Sequence, residues 1–221
     1  MIVRELKKAF RYIRSLPKSV YFNFRYLEFR QAILFPVWIS HRVSLDRMKG
    51  KILVDDPSPG MVQIGFDRTG VYDESMKSVW HVDGIVHFRG RARISPGARF
   101  MVGGRIEFGD NFNTGAGASF FCSREIVFGR NNLLSWNVVI MDHDFHEIRN
   151  LAGERLNEPE PVLFGDNVWI GFNVSALKGS GSDDDCVIAA GTLLNRKVSG
   201  KNQIIGGSPP KTLKAGISWI Y

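Results

Sequence analysis

Between Phe88 and Leu194 an apolar or small residue recurs at every sixth position, and this spacing restricts the fold more than any other feature of the chain. Phe88, Ile94 and Phe100 are followed by Phe108, Thr114 and Phe120, then by Phe128, Leu134 and Ile140. After a gap the series resumes at Phe164, Ile170, Ala176, Ser182, Ile188 and Leu194. Glycine directly follows Phe108, Phe128, Phe164 and Ile170. Such a period is the signature of hexapeptide β-helix repeats. A strand and its turn use six residues, and three such sides close one triangular coil. The marked residue points inward and stacks on its counterpart in the next coil. Small residues and Gly beside it permit the sharp corners. Phe88, Phe108 and Phe128 are 20 residues apart instead of three sixes, so these coils carry small corner insertions. Thr114 and Ser182 are weak inward residues. Ser182-Asp183 stands where an apolar-Gly pair is expected, which predicts an irregular corner.

The series breaks between Ile140 and Phe164. The excursion from Asp142 to Pro161 opens with D-H-D-F-H-E-I and continues polar and turn-prone. A 20-residue excursion of this kind inside a compact solenoid is usually functional. It is suited to projecting from the prism and reaching an adjacent subunit. Two histidines, His143 and His146, sit among Asp142 and Asp144. Histidine titrates near working pH, which suits it to general-base work.

Residues 1–35 are helical by periodicity, and 36–221 make up the β-helix, with the extruded loop near 142–161. Val3, Leu6, Phe10, Ile13 and Leu16 recur at helical spacing, with Lys7, Lys8, Arg11, Arg14 and Lys18 on the other positions. A second helical run, about 20–34, ends before Pro36. The segment reads as an amphipathic cap with a solvated basic face, or alternatively as a helix lying on an anionic bilayer. The formal charge of +7 attracts anionic partners, but no recognisable nucleic-acid motif accompanies it, so none is expected. Cys122 and Cys186 form no metal motif and suit a reduced, cytoplasmic setting. Neither a cleaved signal peptide nor a transmembrane span is expected.

The repeat, the looped-out D-H-D-F-H-E-I, F-G-D-N-V-W-I-G at 164–171 and G-G-S-P-P-K at 206–211 resemble the hexapeptide-repeat O-acetyltransferases. Members acting on galactosides and maltose are similar, and the N-terminal segment and I-S-W-I ending look closer to the capsule and lipopolysaccharide branch. The resemblance implies a mainly β, left-handed parallel β-helix, a homotrimer, and acetyl-CoA bound between neighbouring prisms. It implies direct transfer to a sugar hydroxyl with a histidine general base and no catalytic metal. On the pattern D-x-D-F-H, His146 matches the base and His143 the variable position. Asp144 or Asp142 then orients the imidazole, or binds acceptor hydroxyls, or makes a turn. The Phe172 N–H after Gly171 matches the donor to the thioester oxygen, and Trp169 matches a wall of the pantetheine channel. Ala190, Asn195 and Arg196 match positions along the CoA arm, and Lys211 the basic residue facing its phosphates. Pro210 departs from the Ala or Cys usual there. Asn113, with Gly115 beside it, falls where an acceptor-binding Asn lies, and Asp142 is the second acceptor candidate.

Two other readings compete. A zinc enzyme of the carbonic anhydrase type on this fold needs three converging histidines, whereas His81 and His87 lie far upstream of His143 and His146. A non-enzymatic β-solenoid at a membrane requires neither the histidine loop nor S-P-P-K. The expected acceptor is a glycan or lipid-linked sugar of surface polysaccharide synthesis, with the chain cytoplasmic or peripheral at the inner membrane face.

Overall fold

A computed structural model describes residues 2–66, 73 and 75–220, with side chains from residue 9 onward. The chain is mainly β, a left-handed parallel β-helix behind an N-terminal helix. Its first coil consists of β1 (Val37–Ile39), β2 (Val43–Met48) and β3 (Lys51–Val54). These strands begin three faces, A, B and C, and each later strand stacks in parallel on the strand three places before it. At the far end Lys211–Ala215 turns back antiparallel on Gln203–Gly206.

The inward series forms the core as expected. Phe88, Phe108, Phe128 and Phe164 stand in register on face C. Their rings stack at 5.3, 5.8 and 5.5 Å with interplanar angles of 17°, 4° and 5°. Such offset stacks add roughly 0.5–1.5 kcal/mol per pair to the burial itself. On face B, Trp80, Phe100 and Phe120 continue into Ile140, Ala176 and Leu194.

The motif Phe-Gly-Asp-Asn follows from the corner it makes. Phe164 points inward. A Cβ on Gly129 would strike Asp166 and the Gly165 backbone of the coil above, so only glycine allows that approach. Asp166 accepts the Arg130 N–H at 2.7 Å, and Asp184 accepts the Asp166 N–H at 2.9 Å. Asn111, Asn131, Asn167, Asp185 and Asn202 take left-handed φ of 56–60° at this corner. Short side chains that bond locally tolerate that conformation best. Ser182 does not break the pattern: it pairs in register with Phe164 and is buried, and Asp183-Asp184-Asp185 then fall in the places of Gly165-Asp166-Asn167. The price is two buried hydroxyls, Ser180 and Ser182, without a hydrogen-bond partner among the described residues.

The N-terminal segment differs from expectation in two respects. It is one helix, α1 (Ile2–Tyr26), followed by the short α2 (Phe29–Ala32), and not two runs meeting near residue 20. Pro17 is tolerated because the hydrogen bond it forfeits is on the side of Ile13, which is exposed. More important, the face packed on the prism is polar. Asn23 both accepts the Val37 N–H (3.2 Å) and donates to the Val37 carbonyl (2.7 Å). Ser19 accepts the Ile39 N–H at 3.0 Å and Ser15 the His41 N–H at 3.0 Å. Four helical residues advance about 6 Å and two strand residues about 6.6 Å, so side chains at i, i+4 and i+8 match alternate strand residues. The exposed edge of β1 is thereby satisfied and blocked. Lys18 donates to the carbonyls of His41 and Val43 at 2.8 and 2.6 Å, and burial pulls its ammonium pKa down. Phe22 completes the seat, edge-on to Trp80 at 5.2 Å. The expected apolar stripe does not pack: Phe10, Ile13 and Leu16 face outward. The side chains of Val3 and Leu6 lie outside the described residues.

Candidate active site

In this coil the face-B strand is Val139–Met141, and the next residue turns into the loop. Asp142 is fully buried. One carboxylate oxygen accepts the N–H of Arg124 and Glu125, both at 2.7 Å, and the other accepts the Ser123 N–H at 2.8 Å. Burial, then this neighbouring carboxylate, push the Cys122 thiol far up, which makes it inert. Asp142 therefore has no capacity left for a substrate hydroxyl, and the acceptor-binding role expected for it is corrected. Its second oxygen does one further thing: it lies 2.8 Å from His143 Nδ1. A carboxylate only accepts, so Nδ1 carries a proton, and in the neutral imidazole the lone pair lies on Nε2. The imidazole is also held from the side by Phe145, at 4.6 Å between ring centroids. Phe145 adopts φ +61°, a conformation a bulky residue takes only when its surroundings impose it.

The expected pairing of Asp144 with His146 does not form. Asp144 lies 2.6 Å from Lys178 Nζ and accepts from Asn157 at 2.9 Å. The lysine hydrogen bond holds its carboxyl below the usual range. His146 is exposed, and its backbone rather than its ring is engaged, through Asn157 and Asp144. Asp144, Asn157 and Lys178 thus staple the base of the loop. Beyond them the loop is a hairpin-like arm, with Leu156 N–H donating to Ile148 (2.8 Å) and Asn150 N–H to Glu154 (3.0 Å). Ile148, Leu151 and Leu156 are exposed along it. Lys178 had escaped sequence reasoning. Its signal is the register: Ile140 pairs with Ala176, so Lys178, two residues on, falls level with the start of the loop.

The second group lies on the corner between faces A and B. Trp169, on the strand Trp169–Ile170, is partly exposed and donates to Ser135 at 3.1 Å. A Cβ on Gly171 would meet Ala190 N at 2.7 Å and Ile188 O at 2.8 Å, so the two corners are stacked backbone on backbone. Gly191 donates to the Phe172 carbonyl at 2.9 Å, while no described residue accepts the Phe172 N–H. Ala190 is exposed beside it. Asn113 is buried on face A, in register with Trp169 two strands away, and donates to the Asn111 carbonyl at 2.9 Å.

Asn195 and Arg196 do not join this corner. They follow Leu193–Leu194 at the opposite edge of face B, the edge of His143 and Lys178. Arg196 donates to the Pro210 carbonyl at 2.8 Å, which ties down the strand bearing the exposed Lys211. Phe172 and Lys178 flank the face-B strand Ser175–Ala176 on opposite sides. One protomer therefore holds its histidine edge and its Phe172 edge apart. Among the described residues no group of three or more His, Cys, Asp or Glu could hold a metal ion. His81 and His87 are engaged with Asp46 and Asp55.

No protein-family model matches the chain. A Saccharomyces cerevisiae protein described as "Putative acetyltransferase YJL218W" is 34% identical over 114 residues, which is 51% of this chain and 57% of that one. The Escherichia coli K12 protein "Putative lipopolysaccharide biosynthesis O-acetyl transferase WbbJ" is 27% identical over 143 residues, 60% of this chain and 72% of that one. The chain thus spans 57% of the first of these relatives. The crystal structure of the polySia-specific acetyltransferase NeuO shares the fold, with a TM-score of 0.56, 20% identity, and coverage of 81% of this chain and 89% of that one. Relatives in sequence and a neighbour in fold agree: over its repeat region the chain is similar to proteins described as acetyltransferases.

Proposed function

We propose that this chain is an acetyl-CoA-dependent O-acetyltransferase whose acceptor is a sugar hydroxyl of a surface polysaccharide or its lipid-linked precursor. The observation that carries the reading is the Asp142–His143 pair, 2.8 Å apart, with one ring nitrogen committed to a buried carboxylate and the other left as a base. The relatives named above support the acetyl donor and the glycan acceptor. His143 replaces His146 as the general base in this reading.

In the reaction, His143 Nε2 takes the proton of the acceptor hydroxyl as its oxygen attacks the thioester carbonyl. The imidazolium that forms is stabilised by Asp142, the role of the carboxylate in a Ser-His-Asp triad. The negative charge on the carbonyl oxygen is met by the unpaired Phe172 N–H, an oxyanion donor of the kind worth roughly 3–4 kcal/mol. Collapse of the tetrahedral intermediate expels the CoA thiolate, which recovers the proton from His143. Trp169, Gly171 and Ala190 line the donor's path in this reading, and Asn195, Arg196 and Lys211 extend it. Asn113 is kept as an acceptor-side residue on face A.

The base and the oxyanion donor sit at opposite edges of face B, so the site is completed by a second protomer. A homotrimer satisfies this with three equivalent grooves, and the exposed apolar arm at Ile148, Leu151 and Leu156 is placed to reach a neighbour. The chain is assigned to the cytoplasm, where acetyl-CoA is available. The test is acetyl transfer from acetyl-CoA to a panel of sugar acceptors, comparing His143→Ala with His146→Ala. Loss of roughly 10²–10⁴ in kcat is expected for the first and only a few-fold for the second. Full activity in His143→Ala would refute the assignment of the base.

A further inference from the structure

Because α1 is clamped through Ser15, Ser19 and Asn23, its apolar side is left uncovered. Phe10, Ile13, Tyr21 and Phe24 are 45–67% exposed and lie along one stripe of the helix. Phe24 meets the ring of Phe29 at 6.1 Å, which carries the stripe onto α2 and the following turn. Phe29, Ile33 and Leu34 are exposed there as well. A continuous apolar patch of this kind on a rigid seat marks a surface that something covers.

The charge of the chain is concentrated in the same segment of sequence. Residues 1–34 carry eight Lys and Arg against Glu5 and Glu28, which is +6 of the chain's formal +7. The rest of the molecule is close to neutral. Arg14 lies over the Phe10 ring, 5.7 Å from its centroid, and Arg30 is exposed on α2. Lys18 and Arg25 are fixed by backbone carbonyls at the end of the prism. Aromatic and aliphatic side chains on one face, flanked by cations, are the pattern of a helix lying in a lipid–water interface. No helix among the described residues is long and apolar enough to cross a membrane. A second copy is the poorer occupant, because an isologous contact would set two +6 segments against each other.

We infer that the stripe from Phe10 to Leu34 lies in the interface of an anionic bilayer, parallel to its plane, with Arg14 and Arg30 at the phosphates. The polar inner face then has a purpose: it holds the helix on the prism without consuming its apolar side chains. This contact is independent of the acyl-transfer reading, and its test does not use activity.

The full chain is mixed with vesicles of phosphatidylcholine alone or with phosphatidylglycerol added, and the bound fraction is read by sedimentation. Binding to the anionic vesicles is expected, roughly tenfold or more weaker on neutral vesicles and in high salt. F10S/F24S and R14E/R30E are each expected to weaken it by a similar factor. All four side chains are exposed, and unchanged thermal melting would verify that the variants fold. Failure of the wild type to bind anionic vesicles, or binding of both variants like wild type, overturns the inference. So does a fall in oligomer mass of F10S/F24S on sizing, which would assign the stripe to a second copy.

Discussion

Asp142 illustrates how a residue in a candidate catalytic sequence can owe its identity to the fold. Its carboxylate is the acceptor for three successive backbone N–H groups of the preceding coil, at Ser123, Arg124 and Glu125, and for His143. An amide at that position presents N–H₂ to at least one of those donors. Asp142→Asn is therefore expected to lose about 3 kcal/mol, seen as a fall of roughly 6–12 °C in Tm, together with activity. Asp144 acts differently, as an anchor of the loop through Lys178. Its pKa is depressed in the folded state, so its stabilisation is present above the ordinary carboxylate value and is lost as pH falls through the lowered one. Lys178→Met should then lower Tm at pH 6, with the gap from wild type closing towards pH 3. A gap that stayed constant across that range would show that the ion pair is not the cause. The histidine-bearing loop was legible as the site because polar residues displaced the six-residue repeat. Which imidazole meets a carboxylate was not legible, since D-H-D-F-H places an aspartate within two residues of both. Register decided it: Asp142 is still in the coil, and Asp144 has already left.

At the scale of elements, the inner ladder and the N-terminal cap contrast in how they are encoded. The ladder is written in apolar residues at a fixed period, so Phe128 could be placed in the core from spacing alone. Its ring touches those of Phe108, Phe112, Phe120 and Phe164. Phe128→Ala is expected to cost about 3–5 kcal/mol, measured by denaturant unfolding, while the exposed Phe24→Ala should stay within about 0.5 kcal/mol of wild type. The cap escaped the same reasoning, because helical apolar periodicity was taken to mark the packed face. What the helix actually covers is an edge strand, whose need is for hydrogen-bond partners and not for apolar area. Ser15, Ser19 and Asn23 meet that need, yet their spacing signals nothing unless the strand edge is already in view. Asn23→Ala leaves both backbone groups of Val37 unpaired in a buried setting. It is expected to destabilise by about 2 kcal/mol and to accelerate amide exchange at Val37 ahead of the Phe ladder. Equal protection of Val37 in the variant and wild type would mean the ladder of small polar residues is dispensable.

Over the whole molecule, the same stacking that makes the prism rigid keeps its two chemical edges apart. His143 follows the face-B strand of its coil and Phe172 precedes the face-B strand of the next, so the two stand at opposite edges of that face. A β-helix cannot fold back to join them, because each edge is locked by parallel pairing to the coils on either side. The resemblance to trimeric enzymes suggested a shared groove, but the partition of the residues could be derived only from the topology, which sends Asn195 and Arg196 to the histidine edge although they follow Ala190 closely in the chain. This arrangement makes a prediction that no single-protomer site shares. His143→Ala should abolish the base edge alone, and Ala190→Trp, at an exposed position, should obstruct the Phe172 edge alone. Each homo-oligomer is inactive. In assemblies formed from equal amounts of the two, roughly a quarter of the grooves pair an intact base edge from Ala190→Trp with an intact oxyanion edge from His143→Ala. Acetyl transfer should return to about that fraction of wild type after co-refolding or subunit exchange, and not on simple mixing without exchange. If co-assembled variants stay inactive while light scattering shows that they have mixed, both edges must be drawn from one protomer. The separation across face B would then be bridged by movement of the loop at 142–161, and not by a neighbour.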